Sequence, residues 1–172
     1  PIVVAINKCD LPEADPQKIK NQLLEHELIA EELSGDTLMV EISTKTKHNL
    51  NKLIEAIILQ SEILDLKTDY ETKANGVVLE SKIDVGRGPV ATIIDTTGTL
   101  KKGDYFVSGL KWGKVRAIIN DKGKNINEAL PSTPVEILGI NGASKAGDDF
   151  IVLESEKEAK TLSGNRAQEK KD

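Results

Sequence analysis

The sequence has few aromatic residues and a single cysteine, and both shortages limit what the protein can be. Aromatic side chains make up only 3% of the 172 residues, so the hydrophobic core must be built from Ile, Val, Leu and Ala. One cysteine excludes an internal disulfide framework and a cysteine-rich zinc site. No apolar run approaches the roughly 18–20 residues that a membrane-spanning helix needs, so we do not expect a membrane protein.

The net charge is mildly acidic and is unevenly distributed along the chain. The sequence carries 23 Lys and Arg against 28 Asp and Glu, a formal net charge of −5, which excludes a protein that is strongly basic throughout. Residues 1–70 hold seven basic and thirteen acidic side chains, whereas residues 71–172 hold sixteen and fifteen. With 38% hydrophobic and 30% charged residues, we expect a folded globular chain with two regions of different character.

The first third of the chain alternates strand and helix signals. Residues 2–6 form a continuous run of β-branched and apolar side chains, which is typical of a strand buried on both faces of a parallel sheet. Asp15 followed by Pro16 predicts the start of a helix that continues to about His26. A second apolar run precedes Asn49, which we expect to cap an amphipathic helix. This β-α-β-α order predicts part of a doubly wound sheet.

From Gly76 onward the sequence changes to short runs in which apolar and polar residues alternate. Glycines punctuate these runs and no helical pattern separates them, which predicts a small β-barrel or sandwich. The fold class is therefore α/β plus all-β. We expect an α/β part in residues 1–66, a linker in 67–75, a β-barrel in 76–160, and the start of a further linker or helix in 161–172.

The beginning of the sequence is unusual for a complete domain. Pro1 opens an apolar run, with neither a preceding Met nor a charged leader. Because a natural domain rarely begins inside its own buried strand, we expect this chain to be a fragment of a longer protein.

Polar residues at the end of the first predicted strand form the motif Asn7-Lys8-Cys9-Asp10. The motif resembles N-K-x-D, the guanine-recognition signature of GTP-binding proteins. A carboxylate at Asp10 can accept both N1–H and N2–H₂ of guanine, whereas adenine presents neither donor. Asn7 would tie the loop together and reach the base edge, and the aliphatic stem of Lys8 would lie on the flat face of the base.

The second predicted strand leads into Ser43-Thr44-Lys45, which is similar to the S-A-K loop whose backbone N–H meets guanine O6. Thr44 stands where Ala is usual, a departure that matters little if the contact is made by the main chain. Ligands of open α/β sheets bind beyond the carboxyl ends of the strands, where both loops are expected. The alternative is a polar turn in which Asp10 only caps a helix. The nucleotide-binding candidates are Asn7, Lys8, Asp10, Ser43, Thr44 and Lys45.

Nearly the whole chain resembles bacterial translation initiation factor 2. Residues 1–66 resemble the last third of its GTP-binding domain, and the glycine-rich motifs farther on resemble the β-barrel that follows that domain. The resemblance implies the final β-α-β-α of a P-loop GTPase domain followed by a translation-factor β-barrel. The barrel motifs are Gly86-Arg87-Gly88-Pro89-Val90-Ala91-Thr92, Gly98-Thr99-Leu100-Lys101-Lys102-Gly103-Asp104, Gly113-Lys114-Val115-Arg116-Ala117, Pro131-Ser132-Thr133-Pro134-Val135-Glu136-Ile137-Leu138-Gly139 and Ala146-Gly147-Asp148.

The resemblance also implies a function for the intact protein. It implies a GTPase that helps place initiator tRNA on the small ribosomal subunit and promotes subunit joining, as a monomer in the cytoplasm or, alternatively, in an organellar matrix. GTP or GDP with Mg²⁺ would be its ligands. The present sequence has no phosphate loop, no switch segment and no D-x-x-G-H. We therefore expect no catalytic residue, no metal ligand and no tight nucleotide binding in this chain, and tRNA contact through a domain absent from it.

A basic segment covers residues 101–124, with seven basic side chains against two acidic ones. The resemblance favours contact with ribosomal RNA phosphates, to which Tyr105, Phe106 or Trp112 could add apolar area. The alternative is a set of solubilising lysines on barrel hairpins, with the aromatic rings in the core. The RNA-contact candidates are Lys101, Lys102, Lys111, Lys114 and Arg116.

Two other functions remain open at this point. The first is another translational GTPase of the elongation-factor type, which the sequence before residue 1 and the domain after residue 172 would distinguish. The second is a non-enzymatic barrel that binds RNA or protein and follows a degenerate α/β segment. A phosphate loop upstream of residue 1 would exclude this second function.

Overall fold

The computed structural model describes residues 1–171, which divide into two compact units with the boundary between Lys67 and Thr68. The first unit is α/β and the second is built mainly of antiparallel strands. Both observations confirm the predicted fold class. In residues 1–171 the helices are all too short or too polar to cross a membrane.

The first unit contains a two-stranded parallel sheet and two helices in the predicted β-α-β-α order. In the sheet, Val3 lies opposite Leu38 and Ile6 lies opposite Glu41. A short 3-10 turn at Glu31–Leu33 precedes the second strand. The elements are β1 (Val3–Ile6), α1 (Pro16–Leu24), β2 (Leu38–Glu41) and α2 (Leu50–Leu64).

Helix α1 begins as predicted and ends two residues early. The Asp15 carboxylate accepts a hydrogen bond from the Lys18 N–H at 3.1 Å, and Pro16 occupies the first turn. The helix stops at Leu24 because Glu27 adopts a left-handed φ of 61° and the next N–H bonds back to the Leu23 carbonyl at 3.1 Å. This is the Schellman closure of a helix, made here without glycine.

Asn49 occupies the N-cap position of α2, as predicted, but its side chain does not cap the helix. Its backbone is left-handed, with φ 57°, and its side chain makes no capping hydrogen bond. The Asn49 Nδ2 instead donates to the Glu41 carbonyl oxygen at 2.9 Å. Asn49 therefore fastens the start of α2 to the end of β2.

The prediction that the first strand is buried on both faces is also wrong for this unit. Val3 and Val4 are half-buried, and only Ile6 of β1 is buried. The sheet has two strands in the described residues, so β1 has a neighbour on one side alone. On α2, Ile57 and Ile58 are each about half exposed, at 53% and 50%.

A buried lysine connects α1 to β2. The Lys20 side chain is 5% exposed, and its Nζ lies 2.9 Å from one oxygen of Glu32 and 3.7 Å from Glu41. The hydrogen bond to Glu32 raises the pKa of Lys20 above its ordinary value, so the ammonium stays charged. This ion pair fixes the end of β2, from which the second candidate loop departs.

The second unit is built mainly of nine strands. They are β3 (Asn75–Asp84), β4 (Gly88–Thr97), β5 (Leu100–Lys101), β6 (Tyr105–Ser108), β7 (Lys111–Ile119), β8 (Asn125–Ile126), β9 (Glu128–Ala129), β10 (Pro134–Ile140) and β11 (Asp149–Leu153). Six of them form a closed antiparallel barrel with the order β10-β4-β3-β11-β6-β7, in which β7 pairs back onto β10. Closure gives each of these six strands a neighbour on both sides. The short strand β8 pairs with the end of β7, and β5 and β9 pair with each other as a separate two-stranded sheet.

The barrel core is largely aliphatic, as the composition predicts. Ile93 and Ile137 are fully buried, and Phe106 pairs there with Phe150, with ring centroids 4.9 Å apart. One ionisable side chain of the described residues shares this interior. Asp95 follows Ile93 on the inward face of β4 and is 1% exposed.

The boundaries of the barrel unit differ from those predicted. Residues 68–74, predicted as part of a linker, lie on the barrel, because the Asp69 carbonyl accepts from the Gly98 N–H at 2.7 Å and Thr68 Oγ1 donates to the Thr96 carbonyl at 2.7 Å. The end of β4 thus holds this segment in place.

The C-terminal helix begins earlier than predicted and packs against the barrel. Helix α3 (Glu156–Glu169) starts inside the predicted barrel range of 76–160, and Ser155 caps it by accepting from the Glu158 N–H. Arg166 makes two hydrogen bonds of 2.8 Å to Asp149. The predicted segment 161–172 is therefore mostly docked helix, and residue 172 lies outside the described residues.

Candidate functional site

Two loops meet at the carboxyl edge of the β1–β2 sheet. The loop after β1 carries Asn7, Lys8 and Asp10, and the loop after β2 carries Ser43, Thr44 and Lys45. Backbone hydrogen bonds continue the pairing past the strand ends, since the Ile42 N–H donates to the Ile6 carbonyl at 2.8 Å and the Cys9 N–H donates to the Ile42 carbonyl at 3.1 Å. The structure thus brings the six predicted residues onto two adjoining loops.

The Asn7 amide bridges these two loops. Its Oδ1 accepts from the backbone N–H groups of Lys8 at 2.7 Å and Thr44 at 3.1 Å. Its Nδ2 donates to Thr44 Oγ1 at 3.3 Å. The Thr44 N–H is therefore already engaged by Asn7, and a ligand oxygen that approached it would share this donor.

Asp10 is held by a buried serine. The Ser43 side chain is 1% exposed, and its Oγ donates to Asp10 Oδ1 at 2.7 Å while accepting from the Thr46 N–H at 3.1 Å. The Ser43 hydroxyl, together with the positive charge of Lys45, lowers the pKa of Asp10 below its ordinary value. The carboxylate is exposed and ionised, and it keeps acceptor capacity for a ligand that offers two N–H donors.

Lys8 occupies a strained backbone conformation next to these groups. Its φ is 62°, in the left-handed region that non-glycine residues seldom adopt, and its side chain is exposed. The Leu11 N–H donates to the Lys8 carbonyl and closes the turn. Strained residues of this kind persist where surrounding contacts fix them, often at ligand sites.

Two residues outside the predicted set also shape this edge. The His48 carbonyl accepts from the Ser43 N–H at 3.2 Å, and Asn49 fastens the following helix to β2. The sequence signal for Asn49 was the start of a helical pattern, which indicates a cap and not a tie to a strand. No pattern in the sequence indicates the contact of His48, because it is made by the backbone.

The five basic candidates are all exposed, but they fall into separate groups. Lys114 and Arg116 point outward from the same strand, β7. Lys101 lies on β5 opposite Glu128, and Lys102 follows it in the turn. Lys111 begins β7.

The aromatic residues near these basic side chains have different surroundings. Phe106 is fully buried, so the prediction that it could contact RNA is wrong, because it faces the barrel core. Tyr105 and Trp112 are partly exposed and lie beneath lysines, with Lys114 Nζ 5.4 Å from the Tyr105 ring centroid and Lys160 Nζ 5.0 Å from that of Trp112.

Comparison with known proteins relates the whole chain to translation factors. The family described as Elongation factor G domain 2 matches residues 73–153. Translation initiation factor IF-2 of Pelagibacter ubique (strain HTCC1062) is 81% identical over 171 residues, which are 99% of this chain and 23% of that protein. The IF-2 of Cereibacter sphaeroides (strain ATCC 17029 / ATH 2.4.9) is 54% identical over 172 residues, which are 100% of this chain and 21% of that protein.

Solved structures show the same fold at lower identity. The crystal structure of GDP-bound aIF5B from Aeropyrum pernix matches with a TM-score of 0.70 and 24% identity, covering 97% of this chain and 36% of that one. The apo form of translation elongation factor SelB from Methanococcus maripaludis matches with a TM-score of 0.61 and 22% identity, covering 90% and 34%. The chain spans less than a quarter of the two curated relatives described above.

Proposed function

Because this chain belongs to the bacterial translation initiation factor 2 family, we propose that it is part of a GTP-binding factor that acts on the ribosome. The first unit supplies the guanine-recognition half of a GTP or GDP site, and the barrel contacts RNA of the small ribosomal subunit. The whole factor, a cytoplasmic monomer, places initiator tRNA and promotes subunit joining, and its tRNA contact lies in a different domain.

The observation that carries the nucleotide proposal is the oriented carboxylate of Asp10. The Ser43 hydroxyl donates to Oδ1 of Asp10, and the Asp10 side chain is exposed to solvent, so N1–H and N2–H₂ of guanine can both donate to its carboxylate. Lys8 follows Asn7 in a left-handed turn and its side chain is exposed, so its aliphatic stem is free to lie on the flat face of the base. Phosphate contacts and Mg²⁺ contribute most of the affinity in such sites, so this chain alone binds GTP weakly and does not hydrolyse it.

The matches to initiation factors favour this function over that of an elongation factor. The barrel family is shared among translational GTPases, but identities of 81% and 54% over the whole chain occur with proteins named IF-2. These identities also extend through residues 1–66. They therefore argue against the alternative function, in which a non-enzymatic barrel follows a degenerate α/β segment.

The experiment that tests the nucleotide proposal replaces Asp10 with asparagine in the longer protein that contains this chain. The substitution turns one carboxylate acceptor into a donor, and we expect GTP binding to weaken by about 2–3 kcal/mol. Xanthosine triphosphate carries oxygen at C2 and should bind Asp10→Asn better than GTP does. Calorimetric titration measures both affinities.

Asp36→Asn is the matched control, because Asp36 is an exposed aspartate of the same unit before β2, at the opposite end of the strand from the candidate loops. It should leave both affinities unchanged. Equal GTP binding by wild type and Asp10→Asn would remove Asp10 from the site and reject the proposal.

The barrel proposal predicts a salt-dependent interaction with isolated small ribosomal subunits. Lys114→Ala or Arg116→Ala should reduce the slope of log K against log[salt] by roughly 0.7–0.9 in magnitude for each phosphate that the side chain neutralises. These two residues are the sharpest tests, since they share one outward face of β7. Binding of the chain is measured across a salt series.

Lys122 and Lys124 provide controls of the same charge in the exposed turn between β7 and β8, where Asn120 Oδ1 accepts from both of their backbone N–H groups. Their alanine variants should change the slope less. A flat salt dependence of the unmodified chain would show that the basic segment is an ordinary solvated surface.

A further inference from the structure

We propose that Thr44 is a positioning residue that holds the Asn7 amide in the orientation needed to meet the N7 edge of guanine. The inference rests on the proposed nucleotide site and concerns a residue at which this chain departs from the usual S-A-K loop. Alanine in the place of Thr44 would offer no side-chain partner to Asn7. The hydroxyl provides one.

The Asn7 amide has a defined orientation. Two backbone N–H groups, those of Lys8 and Thr44, donate to Oδ1, which identifies that atom as the oxygen. The amide nitrogen then faces Thr44 Oγ1 at 3.3 Å. An amide nitrogen carries two hydrogens, so this bond fixes one and directs the other to solvent.

The bonds of Asn7 respond differently when a base arrives. Guanine presents O6 and N7 as neighbouring acceptors on one edge. An O6 atom that approaches the Thr44 N–H shares or takes the donor that now serves Asn7 Oδ1. The bond from Asn7 Nδ2 to the Thr44 hydroxyl does not involve that N–H, so it keeps the amide in place while the second amide hydrogen donates to N7.

Hydrogen bonds hold the loop that carries Thr44. The preceding residue, Ser43, is buried and is bonded to Asp10 and Thr46 through its hydroxyl and to His48 through its N–H. Thr44 therefore follows a residue that is anchored to Asp10, Thr46 and His48 by hydrogen bonds. Because its loop is held in place, the Thr44 hydroxyl can orient the exposed Asn7 amide through a single hydrogen bond.

The test uses the longer protein that contains this chain, two variants of Thr44 and two nucleotides. Thr44→Val keeps the branched shape and removes the acceptor, whereas Thr44→Ser keeps the hydroxyl. We expect Thr44→Val to weaken GDP binding about fivefold, which corresponds to about 1 kcal/mol, and Thr44→Ser to remain within about twofold of wild type. With 7-deaza-GDP, which lacks N7, the two variants should bind within about twofold of each other.

Each outcome decides the inference. Equal GDP affinity of Thr44→Val and Thr44→Ser overturns it, and so does a fivefold difference that persists with 7-deaza-GDP, because the hydroxyl would then act by another route. Thr44 is exposed, and equal binding of 7-deaza-GDP by Thr44→Val and Thr44→Ser shows that the loop of the valine variant has folded. If Asp10→Asn weakens GTP binding while the Thr44 variants stay equal, this inference alone fails. If Asp10→Asn has no effect, the nucleotide site itself is rejected.

Discussion

Replacing Asp95 with asparagine should stabilise the barrel at pH 8 by up to about 4 kcal/mol and change its stability little at pH 4. Asp95 points into the barrel, is 1% exposed, and neither carboxylate oxygen has a hydrogen-bond partner among the described residues. Burial, with a smaller contribution from the charge of Asp104, raises the pKa of Asp95 to about 7.

The direction of the pH dependence follows from the two pKa values of Asp95. In the folded barrel the Asp95 carboxyl group stays protonated up to about pH 7. In the unfolded chain the same group loses its proton near its ordinary pKa of 3.8. The unfolded state therefore gains relative stability as the pH rises from about 4 to 7, and the wild-type barrel loses stability over that window. Asparagine is neutral throughout, so the loss should be absent from the variant.

The measurement is urea unfolding at several pH values, followed by the fluorescence of Trp112, the one tryptophan of the sequence, which lies on β7 of the barrel. Asp121→Asn, in the exposed turn after β7, is the matched control and should leave the pH profile unchanged. Parallel profiles for wild type and Asp95→Asn would contradict the account of a buried, unpartnered carboxylate.

The second large effect is expected from Gly139→Ala, which should destabilise the barrel by more than about 3 kcal/mol. Gly139 has a φ of 110°, and a Cβ atom there would lie 1.9 Å from the Lys114 carbonyl oxygen. The clash is with backbone, so no side chain can move aside. Gly139 stands where the register between β10 and β7 shifts, and an added methyl group would force apart the pair that closes the barrel.

Two other glycines separate the causes of this effect. Gly123 has a φ of 74° with open space around it, so Gly123→Ala should cost only the strain of the left-handed backbone, about 1 kcal/mol. Gly164 lies within α3, also in open space, so Gly164→Ala should stabilise by about 0.5–1 kcal/mol. Urea unfolding of the three variants tests this order, and a mild effect at Gly139 would contradict the backbone clash.

The order of the elements and the positions of the two candidate loops could be predicted from local signals. The cap at Asp15, the proline after it and the polar motif after residues 2–6 depend on neighbouring residues, and local patterns record such relations well. The contacts within the candidate site are different. The bonds from Asn7 to Thr44 and from Ser43 to Asp10 join residues more than 30 positions apart, so only the folded sheet edge reveals them.

Two features could not be predicted from the sequence, because the packing of the folded chain places residues where their local pattern does not suggest. A polar residue in a strand is usually assigned to the outer face, yet Asp95 falls on the inner face of β4 by the alternation from Ile93. Helix α3 has no strong apolar stripe, because it docks through small residues, Ala159 and Ser163, and through the ion pair of Arg166. A charged, apolar-poor segment of this kind is easily taken for a linker.

Closure of the barrel also sets the order in which the protein can fold during synthesis. The last strand, β11, lies between β3 and β6, with Ile151 opposite Asn75 and Phe150 opposite Ser108. A nascent chain therefore exposes the β3 and β6 edges until residue 153 has left the ribosome, whereas β1 and β2 can pair much sooner. Contacts between such distant residues slow folding, because a long loop must be ordered first. The time spent with open edges is when this barrel most needs protection from pairing with other chains.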